Sequence, residues 1–384
     1  MRRKSLTTLV ASGALALSMA TAGVVITAGT SSAATRAAGR SHTAKLYDIS
    51  IGDSYSVGYQ NPSLLNSTGF TGYVAKKEKL TLANFGCSGA TTTSIFDQIG
   101  CPVDDSAPST SGGMTYDTTD QVDAALDFIA FHPAQVGLVT VSIGGNDVTS
   151  CASQPPADVF SCVATANTSI ATNVGNLVSE LDAYLTASDD TTAHIVGITY
   201  PDVILGDWVA PAGSTNPGLA EESIVAFDDL INPTLDTAYT SVARGAFVDV
   251  TDAQYKLATA GDDTGTFASN AGAAPFTYTG PTESLKGVDK TTPVAVAEVC
   301  DLTWYCTTTN FGDIHANTKG YNFIGGLVVA KLASLLSASR DPLPAPDLDD
   351  TPGPCRGCRS SGPSRECRAP QTRNPPDWCC HRRP

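Results

Sequence analysis

The chain has 384 residues and a formal charge of −15, and the imbalance is steeper away from its ends, where residues 35–354 hold 13 Lys and Arg against 36 Asp and Glu. Such a surface repels nucleic acid and anionic membranes, which reward positive charge, and its plainer consequence is solubility. The length is ample for a sizeable core, in one large α/β domain or two small ones.

The first residues read as a secretory signal. Arg2-Arg3-Lys4 is a basic start, an Ala/Leu/Val-rich stretch runs to about Gly29, and Thr30-Ser31-Ser32-Ala33-Ala34 offers small residues for cleavage. Thr, Ser and Gly within the stretch make it a poor membrane anchor. No later segment is expected to approach the ~18 apolar residues of a spanning helix. The expectation is residues 1–34 as signal, a catalytic domain over 42–339, and 340–384 as a Pro/Asp-rich linker with an Arg/Cys/Pro-rich tail. That tail has almost no aliphatic residues and cannot build a core. Its alphabet is that of a GC-rich gene read out of frame, so disorder or an artefactual end is the expectation there.

Predicted elements alternate along the body. Strands are expected at 45–51, 80–85, 136–142, 193–199 and 246–250, and helices at 70–79, 118–131, 157–187, 219–243 and 317–338. Val136–Ile143 and His194–Ile198 are apolar and β-branched, as strands buried on both faces should be. Asp117-Thr118-Thr119-Asp120 looks like a helix start and His132-Pro133 a stop. Such β-α-β alternation implies a parallel sheet with helices on both sides. Segments 100–117, 205–218 and 258–297 read as long loops, where this fold class keeps its specificity.

Six of the eleven cysteines lie in the body as three close couples: Cys87 and Cys101, Cys151 and Cys162, Cys300 and Cys306. In an exported chain, local disulfides are the simplest connectivity. Metal binding is the rival, but neither a C-x-x-C pair nor a His cluster accompanies them.

Four blocks carry the chemistry. Gly52-Asp53-Ser54-Tyr55-Ser56-Val57-Gly58 follows the first strand, and Asn84-Phe85-Gly86-Cys87-Ser88-Gly89-Ala90-Thr91-Thr92 the second. Ile143-Gly144-Gly145-Asn146-Asp147 follows the third, and Gly312-Asp313-Ile314-His315-Ala316-Asn317 precedes the last helix. A serine just past a buried parallel strand sits where open α/β sheets place their sites. It needs a base, and His315 is the best placed of the five histidines.

In this order and spacing the blocks resemble the GDSL/SGNH hydrolase family, and more closely its exported actinobacterial esterase and lipase branch, over about residues 45–337. The Cys300–Cys306 segment also resembles that branch. The resemblance implies a three-layer α/β/α sandwich with a mainly parallel five-stranded sheet, the flavodoxin-like SGNH hydrolase fold. It implies a secreted carboxylic ester hydrolase in which Ser54 forms an acyl-enzyme and His315 is the general base. Its oxyanion hole is the Ser54 N–H, the Gly89 N–H and the Asn146 side chain. Gly89 is expected to allow close approach through its missing Cβ.

Asp53 and Asp147 read as structural hydrogen-bonders of their loops. The family places an Asp three residues before the His; here that position is Gly312, so either Asp313 or a backbone carbonyl near Trp304 orients the ring. A small-molecule or lipid ester is the expected substrate of a monomer without stable membrane insertion once the signal is removed. No metal or organic cofactor is expected. The alternatives are a carbohydrate acetylesterase or thioesterase on the same site, and a non-catalytic surface-binding protein that kept the fold.

Overall fold

The computed structural model describes residues 45–60, 69–209, 217–259, 266–267, 278–279, 282–284, 291–307 and 311–338. The expected signal, 1–34, and the whole expected linker and tail, 340–384, lie outside them. In chain order the elements are β1 (Tyr47–Gly52), α1 (Ser54–Val57), α2 (Gly69–Glu78), β2 (Thr81–Asn84), α3 (Ser94–Asp97), α4 (Gln121–Phe131), β3 (Val136–Ser142), α5 (Gly145–Thr149) and α6 (Val159–Ala187). Then come β4 (His194–Ile198), α7 (Pro217–Val225), α8 (Asn232–Tyr239), β5 (Gly245–Val248), α9 (Val250–Thr259), α10 (Val294–Leu302) and α11 (Thr318–Ala338).

The five strands pair in parallel in the order β2-β1-β3-β4-β5. Alternate side chains feed two cores. Ile49, Ile51, Val139, Val141, Ile195 and Phe247 face α4, α6 and α8. Leu138, Val196, Ile198, Ala246 and Val248 face α2 and α11. The result is an α/β/α sandwich whose chain order reverses between β1 and β3, the crevice where doubly wound sheets bind ligands.

Each predicted strand lies within two residues of an observed one, and the helices differ more. α4 begins at Gln121, because Asp120 is the residue whose side chain accepts the Asp123 N–H, at 2.8 Å. The helix expected at 219–243 is α7, a π-helical turn over Ala226–Ile231, and α8. Pro233 cannot donate an i→i−4 bond, so the backbone widens before it and restarts.

The loop expected at 205–218 begins as a 3₁₀ turn, Val203–Val209. The loop expected at 258–297 contains two short antiparallel pairs, Thr266–Phe267 with Tyr278–Thr279 and Thr282–Ser284 with Thr291–Pro293, and the start of α10. One expectation is corrected: Thr318–Ser337 of α11 is long and apolar enough to cross a membrane by length and composition. Here one face of it is packed against the sheet, with Tyr321, Ile324, Val328 and Leu332 buried in the second core. Disulfides join Cys87 to Cys101, Cys151 to Cys162 and Cys300 to Cys306.

Candidate active site

Ser54 is the first residue of the one-turn helix α1, directly beyond β1, and it is 5% exposed. Asp53 caps that turn by accepting the Tyr55 N–H at 2.9 Å. Its other carboxylate oxygen accepts the Tyr200 hydroxyl at 2.6 Å. Burial raises the Asp53 carboxyl to about 7, against the pull of those two hydrogen bonds and of His315. As a first helical residue, Ser54 presents a backbone N–H that its own helix leaves unsatisfied.

The segments after β2 and β3 are laced together beside it. The Asn146 side-chain amide donates to the Ala90 carbonyl at 2.8 Å, so its second N–H is spare. Asp147 accepts from the Thr92 N–H at 2.9 Å and the Thr92 hydroxyl at 2.6 Å, and burial raises its carboxyl despite both bonds. Ser88 and Ala90 spend their N–H groups on Asp105 and Cys87. Gly89 lies between them at φ +80°. A Cβ there would meet no protein atom within 4 Å. The left-handed backbone calls for glycine, and the space beside it is open.

The histidine arrives from the other side of the sheet's end. His315 lies 4.4 Å, ring centre to ring centre, from Tyr59 and 6.4 Å from Tyr55. The Tyr55 hydroxyl donates to the Ile314 carbonyl at 2.7 Å. Asp313 Oδ1 lies 2.7 Å from His315 Nδ1 and also accepts the His315 backbone N–H at 3.0 Å. Burial would raise the Asp313 carboxyl, but the bonds from the His315 ring and backbone outweigh it and hold it below its usual value. The Trp304 carbonyl, the other candidate orienter, accepts instead from the Thr307 N–H and hydroxyl.

A cavity opens onto this constellation, with about 910 Å³ of empty space including its mouth. Asp53, Ser54, Gly144, Gly145 and Asn146 form one part of its lining. Most of the remainder is hydrocarbon: Val159, Phe160 and Val163 of α6 on one side, and Ala226, Phe227 and Ile231 of the π-helical turn on another. Few polar groups reach the lining, Glu222 and Ser223 of α7 among them.

The family model for GDSL-like lipase/acylhydrolase matches residues 49–328, a span that contains all four sequence blocks and the cavity. The chain belongs to this family. It is therefore a carboxylic ester hydrolase. No curated protein matches the sequence.

Among solved structures, the chain is similar to an extracellular lipase from Streptomyces rimosus, at 20% identity and a TM-score of 0.34, over 54% of this chain and 81% of that one. It is similar to phospholipase A1 from Streptomyces albidoflavus, at 19% identity and 0.33, over 55% and 82%. Est24, a carbohydrate acetylesterase from Sinorhizobium meliloti, matches at 14% identity and 0.35, over 76% and 100%.

Within this family member, Ser54, Gly89, Asn146, Asp313 and His315 all lie on segments converging at one end of the sheet. Tyr200, in contact with both Asp53 and Gly145, was invisible to sequence reasoning. It follows β4 in Thr199-Tyr200-Pro201-Asp202, which reads only as a strand end.

Proposed function

We propose that the protein is a secreted serine esterase or lipase acting on esters whose acyl part is hydrocarbon. Ser54 Oγ attacks the acyl carbonyl while His315 takes its proton. The Ser54 N–H, the Gly89 N–H and the spare Asn146 N–H receive the oxyanion. His315 then protonates the leaving alcohol, an acyl-enzyme remains, and a water deprotonated by His315 releases the acid. Asp313 fixes the ring tautomer through Nδ1 and stabilises the imidazolium.

The observation that carries this reading is the largely hydrocarbon cavity whose lining includes Ser54 and Asn146. An acetyl group on a polysaccharide would leave this hydrocarbon lining largely unused, so the carbohydrate acetylesterase alternative is less well supported. A thioester would use the same nucleophile, and competing ester and thioester substrates of equal acyl length separate the two. Export is supported by Arg2-Arg3-Lys4 with the apolar stretch after it and by the three disulfides. N-terminal sequencing of the exported product should begin near Ala34 or Thr35.

The test is hydrolysis of p-nitrophenyl esters from acetate to palmitate by the wild type and Ser54→Ala. The expected result is activity rising beyond acetate and lost in the variant. Activity confined to acetate, or retained by Ser54→Ala, contradicts the reading.

A further inference from the structure

We propose that Tyr200 is a positioning residue for ester hydrolysis, holding the nucleophile turn, the oxyanion segment and the histidine loop in one fixed relation. The proposal rests on the roles given above to Ser54, Asn146 and His315.

Three contacts carry it. First, the Tyr200 hydroxyl donates to Asp53 Oδ2 at 2.6 Å while Asp53 Oδ1 holds the Tyr55 N–H at 2.9 Å. The buried Asp53 thus bridges the nucleophile turn to the end of the neighbouring β4. Second, the Tyr200 ring packs where Gly145 has no side chain. A Cβ on Gly145 would lie 3.0 Å from Tyr200 Cζ and 3.1 Å from Cε2, closer than ordinary packing allows, so the residue beside Asn146 is seated on the ring. Third, the ring meets Tyr55 edge-to-face, with centroids 4.9 Å apart, and Tyr55 holds the Ile314 carbonyl beside His315.

Tyr200 is itself anchored. Its carbonyl accepts the Thr251 hydroxyl at 2.8 Å, and its ring is almost fully buried. One side chain therefore touches the segments after β1 and β3 directly and reaches the histidine loop through one intermediary. Catalytic groups act only near their productive geometry, and a shift of about 1 Å can cost ~10²-fold in rate. A hydroxyl that fixes Asp53 also fixes the residue after it, which is Ser54.

The hydroxyl has an electrostatic effect as well. Asp53 is faced by Tyr55 from its own turn, Tyr200 beyond β4, Asp147 of α5 and His315. The Tyr200 bond favours the carboxylate, and the carboxylate attracts a positive His315. Tyr200→Phe keeps the ring and removes this bond, so Asp53 holds its proton to higher pH and, once neutral, no longer attracts the imidazolium that forms in the transition state.

The experiment compares wild type, Tyr200→Phe, Asp53→Ala and the double variant on p-nitrophenyl acetate and octanoate, with thermal unfolding as a folding control. Labelling of Ser54 by a fluorophosphonate probe is followed alongside. For Tyr200→Phe, kcat is expected to fall about 10- to 100-fold, short of the ~10²–10³ of losing an oxyanion donor outright. KM should stay within about twofold on both esters and probe labelling should slow in parallel, as for an interaction made in the transition state. In the Asp53→Ala background the same change should cost little more, because Tyr200 acts through Asp53.

A loss confined to octanoate KM makes Tyr200 merely a cavity wall and overturns the proposal, as do fully additive losses. Wild-type kinetics in Tyr200→Phe with an inactive Ser54→Ala overturn this proposal alone. Retained turnover in Ser54→Ala overturns the reading beneath it. Should Tyr200→Phe unfold, Gly145→Ala presses on the same ring from the oxyanion side. A kcat loss at constant KM then supports the proposal, and unchanged kcat overturns it.

Discussion

A carboxylate two residues before a histidine reaches its ring only when the backbone between them turns tightly, and Asp313 does so with one oxygen serving both the ring and the backbone N–H of His315. Asp313→Asn should therefore lower kcat steeply, up to the ~10⁴-fold known for the wrong-tautomer case, with KM on p-nitrophenyl esters little changed. Asn146→Ala removes one oxyanion donor and should cost ~10²–10³ in kcat. It also frees the Ala90 carbonyl, so unfolding should be measured beside it.

Asp48 provides a stability test away from the chemistry. It is fully buried on β1, accepts the Thr140 hydroxyl at 3.2 Å, and its Oδ2 has no hydrogen-bond partner among the described residues. Burial raises its carboxyl to about 8 against that one bond. Between the ordinary carboxylate range and about 8 the folded chain holds a proton the unfolded chain has lost, so stability falls as pH rises through this window. Asp48→Asn should unfold at a temperature near that of wild type at pH 5 and higher than wild type at pH 9; an equal difference at both values contradicts the argument.

At this scale the sequence was legible where residues sit in short blocks. Ser54 and His315 stand out by residue type and position within their blocks, while Gly89 and Asn146 are named only through the family resemblance that the four blocks carry together. Asp313 was open between two orienters because only the loop's course decides which one faces the ring. Tyr200 carried no local signal at all, since its partners Asp53 and Gly145 are distant in sequence.

At the scale of elements, alternation of buried strands with amphipathic helices was enough to place the five strands of the sheet, because the core enforces one pattern on both faces. The short helices α1, α3 and α5 escaped, and so did two longer ones. Val294-Ala295-Val296-Ala297 alternates like a strand, and Val250-Thr251 begins α9 with β-branched residues that read as more of β5. Packing decided both, as tertiary context overrides propensity. The π-helical turn was equally hidden, and it bears on specificity.

It places Ala226, Phe227 and Ile231 in the cavity lining, opposite α6 residues. Ala226 is the small member of this wall. Ala226→Trp should fill the cavity and lower the ratio of octanoate to acetate kcat/KM, by more than the 10- to 200-fold or so that one methylene commands in an apolar pocket. Initial rates across the p-nitrophenyl series check it, and a wild-type chain-length profile would mean the acyl group lies elsewhere.

At the scale of the molecule, the three disulfides among the described residues are not spread evenly; each fastens a segment beside the candidate site. Cys87 directly precedes the Ser88-Gly89 turn, Cys151 lines the cavity and is tied to Cys162 on α6, and Cys300–Cys306 closes the segment whose Tyr305 carbonyl receives the Gly312 N–H. Cys87 and Cys151 are also buried in the first core, with Cys101 and Cys162 packed against it, whereas Cys300 and Cys306 pack against a separate apolar cluster of Val203, Leu205 and Tyr305. Each closed loop is short, with sequence separations of 14, 11 and 6, and in the chain-entropy model a loop of ~15 residues contributes about 3 kcal/mol, less for shorter ones. Reduction should therefore lower the melting temperature without abolishing the fold.

The losses of function should differ by bond. Cys151→Ser with Cys162→Ser loosens the wall between α5 and α6 and should reduce octanoate turnover more than acetate. Cys300→Ser with Cys306→Ser loosens the approach to Asp313 and His315 and should reduce both esters alike, because the base serves every acyl length. Steady-state kinetics of the two paired variants, with circular dichroism to show the sheet intact, make the comparison. If both pairs reduce acetate and octanoate equally, the disulfides act on global stability alone and the division of labour between cavity wall and histidine loop is wrong.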